Sequence, residues 1–347
     1  MMVEKTRHLS KRVDYIDLLR VLALGSVISF HYLFSGISKG KIDSISPTPL
    51  YEVSKYGYLG VELFFLISGF VILYSTNRTP VEFIKRRFLR LYPMFWIAII
   101  FIFLVTNLPF WEKSGPSIEK SLLNLTMIPT AFGGEWVDRA HWFLLRELQF
   151  YLFIVIMLSL GLGKKLPQIF PVWAIILCFW NLLNLPHFEI WYFSGYFALI
   201  SGGAIIYCVR EWGWTRIRAI GLLASYLCAV DTRMATVNWL NSHRNTQYSA
   251  LVIGAIITFL YLLLLLTLNK RVSSINLKWA GLAGAITYPL FLIHGRVGGV
   301  LLQNLGTDSN KYFIYPAVLI VLIYCAYLAL KIEKKVLNLR PFRALAR

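Results

Sequence analysis

The chain has 347 residues, 57% of them hydrophobic and 16% aromatic, and a formal net charge of +18. Apolar runs near the ~20 residues needed to cross a bilayer recur from end to end, which excludes an ordinary soluble domain. The positive charge does not point to nucleic acid, because Lys and Arg lie in short segments between the apolar runs, as in a polytopic membrane protein.

About ten spans are predicted, at roughly 14–34, 57–76, 91–108, 142–160, 168–184, 192–208, 217–230, 247–268, 279–303 and 312–331. The seventh is short, and the ninth is Gly-rich and contains Pro289. Lys5, Arg7, Lys11 and Arg12 precede the first run with no small-residue cleavage site after it, so that run is expected to stay as a span. Segments 1–13, 77–90, 161–167, 209–218, 269–278 and 331–347 hold 23 of the 35 Lys and Arg residues, and the alternate loops hold nine. The asymmetry predicts that both termini are cytoplasmic. Tyr92, Trp96, Trp142 and Trp191 near span ends suit interfacial anchoring. Cys178, Cys208, Cys228 and Cys325 all fall in apolar runs without paired spacing, so they read as core residues and not as disulfides or metal ligands. The longest loop, 109–141, is expected outside, as a lid or partner surface, with a short surface helix within Ser117–Ile128. No repeat and no loop of domain size occurs, so residues 1–347 form one all-α membrane domain.

The first span, DYIDLLRVLALGSVISFH, carries Asp14, Asp17, Arg20 and His31 in otherwise apolar sequence. Such residues are costly in hydrocarbon and usually face a protein-lined cavity. Arg20 and His31 are eleven residues apart, about three helical turns, which puts them on one face and ~16 Å apart along the axis. The competing reading is an Arg20–Asp17 pair with His31 merely packed against a neighbour. Counting along alternating spans places Glu62, Glu147 and His294 at an outer depth close to that of His31. Their convergence predicts a site. Glu62 and Glu147 could instead form helix-fixing pairs with Arg296 and Arg146, and His294 could be a core histidine. Ser68 and Gly69 suit close helix packing. KRRFLRLYP, from Lys85 to Pro93, places four basic residues in six on the cytoplasmic side, where they contact anionic lipid or hold a phosphorylated cosubstrate.

These residues resemble the acyltransferase-3 family of integral membrane acyltransferases. Arg20 and His31 match its R-x10-H motif, and GVELFFLISGF (Gly60–Phe70) is similar to its F-F-x-x-S-G-F motif. KRRFLRLYP resembles its basic R-x-x-R segment, with Arg87 and Arg90 in register. HWFLLRELQFY (His141–Tyr151) resembles W-S-L-x-x-E-x-x-F-Y, with Glu147 at the acidic position, and YPLFLIHG resembles Y-x-x-Y-L-x-H. The motifs run in family order from Asp14 to Gly295. Phe143 stands where the family has a small hydroxyl residue, and no SGNH-type hydrolase domain is expected after Arg347.

The resemblance implies O-acylation of a hydroxyl on an extracytoplasmic or lipid-linked glycan, with acyl-CoA, most often acetyl-CoA, as donor and no permanently bound cofactor. The expected setting is a bacterial cytoplasmic membrane, with lipid, acyl-CoA and the glycan as partners and with neither nucleic acid nor a metal. Lys85, Arg87 and Arg90 would hold CoA phosphates. Arg20 would guide the polar arm. His31 would be the general base, oriented by Glu62 or Glu147, with His294 and Asp17 as further candidates. The rival is a proton-coupled transporter using the same buried charges, which would be expected to show paired repeats. A glycan polymerase would leave Arg20 and the basic run without a task.

Overall fold

A computed structural model describes residues 13–111, 115–185, 195–244 and 246–346. They form a helical bundle, with no strand among them. Counting kinked pieces together, the helices are α1 (Asp14–Ser38), α2 (Tyr51–Ser75), α3 (Pro80–Thr106), α4 (Ile118–Asn124), α5 (Arg139–Ser159) and α6 (Gly163–Leu182). They continue with α7 (Gly195–Trp212), α8 (Arg216–Arg244), α9 (Ala250–Leu268), α10 (Ala280–Leu305), α11 (Lys311–Leu337) and α12 (Arg340–Ala346). Nine of these are long and apolar enough to cross a bilayer. The described part of the expected sixth span is α7. Lys5, Arg7, Lys11, Arg12 and Trp191 lie outside the described residues.

Local chemistry sets several helix ends. Thr79 and Glu82 close a capping box at the start of α3, where Thr79 N–H donates to the Glu82 carboxylate and Glu82 N–H to the Thr79 hydroxyl, and Pro80 follows at the first helical position. The basic run is therefore not a connecting loop but the first three turns of α3. Asp14 and Asp17 lie in the first turn of α1, where acidic groups complement the helix dipole. The seventh predicted span continues to Arg244 as α8, and Pro289 does not interrupt α10.

Bilayer lipid gives helices little apolar drive to associate, so close packing depends on small residues. A Cβ on Gly69 would run into the Ile200 carbonyl, and one on Gly203 into the Leu66 carbonyl. The α2–α7 crossing thus rests on two glycines that admit each other's backbones. Helix α7 is buried from Phe197 to Val209 and packs on α2, α6 and α8, while α10 packs on α1, α3 and α11. The predicted loop helix exists as α4, capped by Ser117. It is tied down: Asn124, fully buried, donates to the Glu135 carbonyl and accepts from Val137 N–H. That bracing brings residues 134–140 over the end of the bundle that holds His31.

Candidate active site

A cavity of about 930 Å³ lies among the C-terminal end of α1, the N-terminal end of α2, residues 134–140, the end of α8 and the second half of α10. His31 lines it, at the start of a π-helical stretch, Phe30–Ser35, inside α1. Widened turns of this kind break the i→i−4 register and often mark functional positions in helices. Arg20 and His31 share the bundle-facing side of α1 but line different pockets, one toward each end of the helix.

Behind His31 lies a second imidazole. The His31 and His294 ring centroids are 5.1 Å apart, edge to face. His294 is fully buried, and its Nδ1 is 2.7 Å from the Phe291 carbonyl. A carbonyl only accepts, so Nδ1 carries a proton, and the buried Nε2 has no hydrogen-bond partner. His141, also fully buried, uses the other nitrogen: Nε2 donates to the Leu292 carbonyl at 2.8 Å, and Nδ1 has no hydrogen-bond partner. Asp138 completes the group. Its carboxylate accepts from the backbone N–H of Ala140 at 2.9 Å and of Arg296 at 2.5 Å. A side chain on Gly295 would strike it. Burial alone would push the Asp138 carboxyl up, but the imidazoles of His141 and His294 and the Ala140 N–H hold it below its ordinary range. The arrangement is a cavity-facing imidazole backed by two buried ones and a carboxylate.

Glu62 reaches the same cavity but pairs with neither Arg296 nor Arg146. Its carboxylate is 3.4 Å from Arg233 of α8, and both side chains are nearly buried. The Arg233 guanidinium also lies 4.1 Å from the Tyr196 ring centre. Arg146 instead donates to Gln149 at 3.0 Å.

Glu147 does not join His31, Glu62 and His294. It lines a second pocket of about 140 Å³, with Arg20, Ser68, Arg87, Arg90 and Tyr151. The expected common depth fails for this residue, and Asp138, just ahead of the helix, takes the cavity position. Glu147 accepts a hydrogen bond from the Ser68 hydroxyl, so Ser68 serves this pocket while Gly69 serves helix packing. Arg20 is held by buried Asp17 at 2.6 Å, the pairing considered as the structural alternative, yet it still lines the pocket. Arg87 donates to the Ser75 hydroxyl, with its guanidinium carbon 5.1 Å from the Phe83 ring centre and 4.9 Å from that of Tyr151. Lys85 lies on the same helix but does not reach this pocket.

Between the two pockets stand Phe64, Phe143 and Phe291, with ring centroids 5.6 to 5.9 Å apart. On each helix the phenylalanine falls between a residue near the large cavity and one near the small pocket: Glu62 and Ser68 on α2, Trp142 and Glu147 on α5, His294 and Thr287 on α10. Phe143, the departure from the family pattern, is one of the three.

The order Arg20, His31, Ser68, Arg87, Arg90, Glu147, His294, now distributed over two pockets, can be set beside known proteins. A family model described as an acyltransferase domain matches residues 13–331. The chain belongs to the acyltransferase-3 family. It is therefore a membrane acyltransferase. It is also similar to the protein described as protein 2 in the picA locus of Rhizobium radiobacter, with 47% identity over 49 residues, which are 12% of this chain and 26% of that protein. The chain thus covers about a quarter of that relative. No solved structure matches.

Asp138, His141 and Arg233 were not singled out by the motifs. Asp138 and His141 stand in DRAHW, just ahead of a predicted span, where ionisable residues read as loop. Arg233 lies three residues beyond the predicted end of the seventh span. The continuing amphipathic pattern of α8 was the signal available for it.

Proposed function

We propose that this acyltransferase moves an acyl group from acyl-CoA, entering beside Arg20, Arg87 and Arg90, to a hydroxyl of a glycan held in the His31 cavity. The observation that carries the reading is the two-ended site: a guanidinium-lined pocket and an imidazole-lined cavity at opposite ends of one face of α1, parted by three phenylalanines. Arginine forks suit phosphate, and the small pocket has room for an arm but not for a whole nucleotide. The ~16 Å from Arg20 to His31 is of the order of an extended pantetheine.

In this reading His31 takes the proton from the acceptor hydroxyl as its oxygen attacks the thioester carbonyl. The C–S bond breaks, the thiolate leaves with CoA, and the imidazolium returns its proton to the thiolate or to water. Asp138 and His294 act through His31 and not on the hydroxyl itself, so they are positioning residues. The basic run then faces the cytoplasm and the cavity faces outward, in a bacterial cytoplasmic membrane. Incubating the purified protein with labelled acetyl-CoA and an extract of cell-surface glycan tests this. The expected result is glycan labelling that His31→Ala abolishes at equal protein level. Labelling by His31→Ala near wild type would overturn the assignment.

A further inference from the structure

The His31 cavity carries more positive charge than its internal pairs consume. Three carboxylates line it, and each is engaged: Glu62 with Arg233, Glu135 with Lys120 at 2.8 Å, and Asp138 with two backbone N–H groups. Lys39, Lys41, Arg139 and Arg244 also line it, and none of these four is in an ion pair among the described residues. The guanidinium of Arg244 lies 4.9 Å from the Phe30 ring centre, one residue from His31, and its buried Nη1 has no hydrogen-bond partner. A buried donor without an acceptor is costly unless something is to be bound there.

Topology makes the clustering harder to dismiss. On the expected orientation, basic residues are depleted from this side of the membrane, where only nine of the 35 fall. Six of those nine, Lys39, Lys41, Lys120, Arg139, Arg233 and Arg244, line this one cavity. A solvated basic face would scatter them over the loops. A cavity with walls of low dielectric instead focuses their field on its contents. Partial burial, followed by crowding from Arg244, Lys41 and Arg139, pushes the Lys39 ammonium down to about 8.

We propose that the acceptor is an anionic glycan, with its phosphate or carboxylate groups held by Lys39, Lys41, Arg139 and Arg244 while a hydroxyl reaches His31. This rests on the transferase reading for the hydroxyl and not for the anion, so binding is tested without any acyl donor. Two arginines and two lysines from α8, the start of α5 and the α1–α2 connection surround the space, which suits several oxyanions along a saccharide better than a single ion.

The test is equilibrium binding to the full chain in phosphatidylcholine nanodiscs, with trigalacturonate as the carboxylate probe, inorganic pyrophosphate as the phosphate probe and maltotriose as the neutral control. One or both anionic probes should bind at least about tenfold more tightly than maltotriose, and the difference should shrink as salt rises. Which probe binds distinguishes a uronate-type from a phosphate-type acceptor. Lys39→Ala/Lys41→Ala/Arg139→Ala should lose about tenfold or more, while Lys270→Ala/Arg271→Ala, between α9 and α10, should bind as wild type. Equal affinity for maltotriose, binding of neither anion, or an unaffected triple variant would overturn the proposal. So would loss of probe binding in discs doped with phosphatidylglycerol, which would assign the cavity to lipid headgroups. The first comparison uses wild type alone and does not depend on a variant folding. Anion binding that persists while glycan labelling fails would overturn the proposed transfer from acetyl-CoA to glycan and leave the anion site standing.

Discussion

Removing Arg233 alone should destabilise the bundle more than removing Arg233 and the Glu62 charge together. The two side chains are 11% and 3% exposed, 3.4 Å apart, and one Glu62 oxygen has no hydrogen-bond partner. In Arg233→Met the nearly buried carboxylate is left with no cation beside it. Breaking a buried pair from one side costs about 3–5 kcal/mol, because the surviving charge is uncompensated. At ~1.4 kcal/mol per factor of ten, that is a shift of ~10²- to 10⁴-fold in the unfolding equilibrium. Glu62→Gln/Arg233→Met replaces both charges with groups of similar volume and should recover most of the loss, since paired burial is itself close to neutral. Thermal unfolding in detergent, followed by tryptophan fluorescence, closes the double-mutant cycle. If Arg233→Met melts with wild type, or the double variant is no better than the single one, the pair does not fix α2 to α8 as argued. The same proteins separate the two roles of Glu62. Regained stability with turnover still low would mean that Glu62 also orients His31, whereas regained turnover would leave it a helix tie.

Three further outcomes are expected. Arg87→Ala/Arg90→Ala should weaken acetyl-CoA binding, measured by calorimetry in detergent, while insertion and melting change little; normal affinity would make these residues topological only. Asp138→Asn should lower turnover by ~10-fold or more and displace its pH profile with KM for the acceptor nearly unchanged, because the amide cannot supply the carboxylate's charge to the imidazoles; an unmoved profile would make Asp138 a loop anchor. Affinity for trigalacturonate should be full below pH 8 and fall as pH rises through about 8. Burial and the neighbouring Arg244, Lys41 and Arg139 depress the free Lys39 ammonium to that value, a bound anion would raise it, and binding therefore takes up a proton. Affinity flat from pH 7 to 9 would remove Lys39 from the contact.

Much of the architecture was legible because each spanning segment announces itself by length and hydropathy, and a stripe such as Arg20 to His31 follows from helical period alone. Grouping at one end of the bundle was legible for His31, Glu62 and His294, even though α2 starts at Tyr51, six residues before the predicted span. It failed for Glu147. The loop ahead of Trp142, braced by Asn124, brings Asp138 into the cavity in its place. Lateral partners were the least legible. Nothing in the spacing of a single chain tells Glu62 that its cation will come from α8, because that depends on which helices the small residues allow to touch. Gly69 and Gly203 show the dependence: read singly each is a weak signal, and only as a pair do they bring α7 against α2, with Tyr196 and Arg233 beside Glu62.

Phe64, Phe143 and Phe291 bear on the electrical integrity of the membrane as well as on the substrate. A protein with ionisable groups clustered toward both faces, and only a short distance between them, is most of the way to being a proton wire. Three aromatic rings with centroids within 6 Å of one another form an apolar constriction, and constrictions of this kind gate ions by dewetting. A serine at 143 would place a hydroxyl in that gap, and a water file could follow. On the proposed path a thioester would pass these same side chains, so leak conductance in liposomes carrying Phe143→Ser would report on the same few ångströms as catalysis.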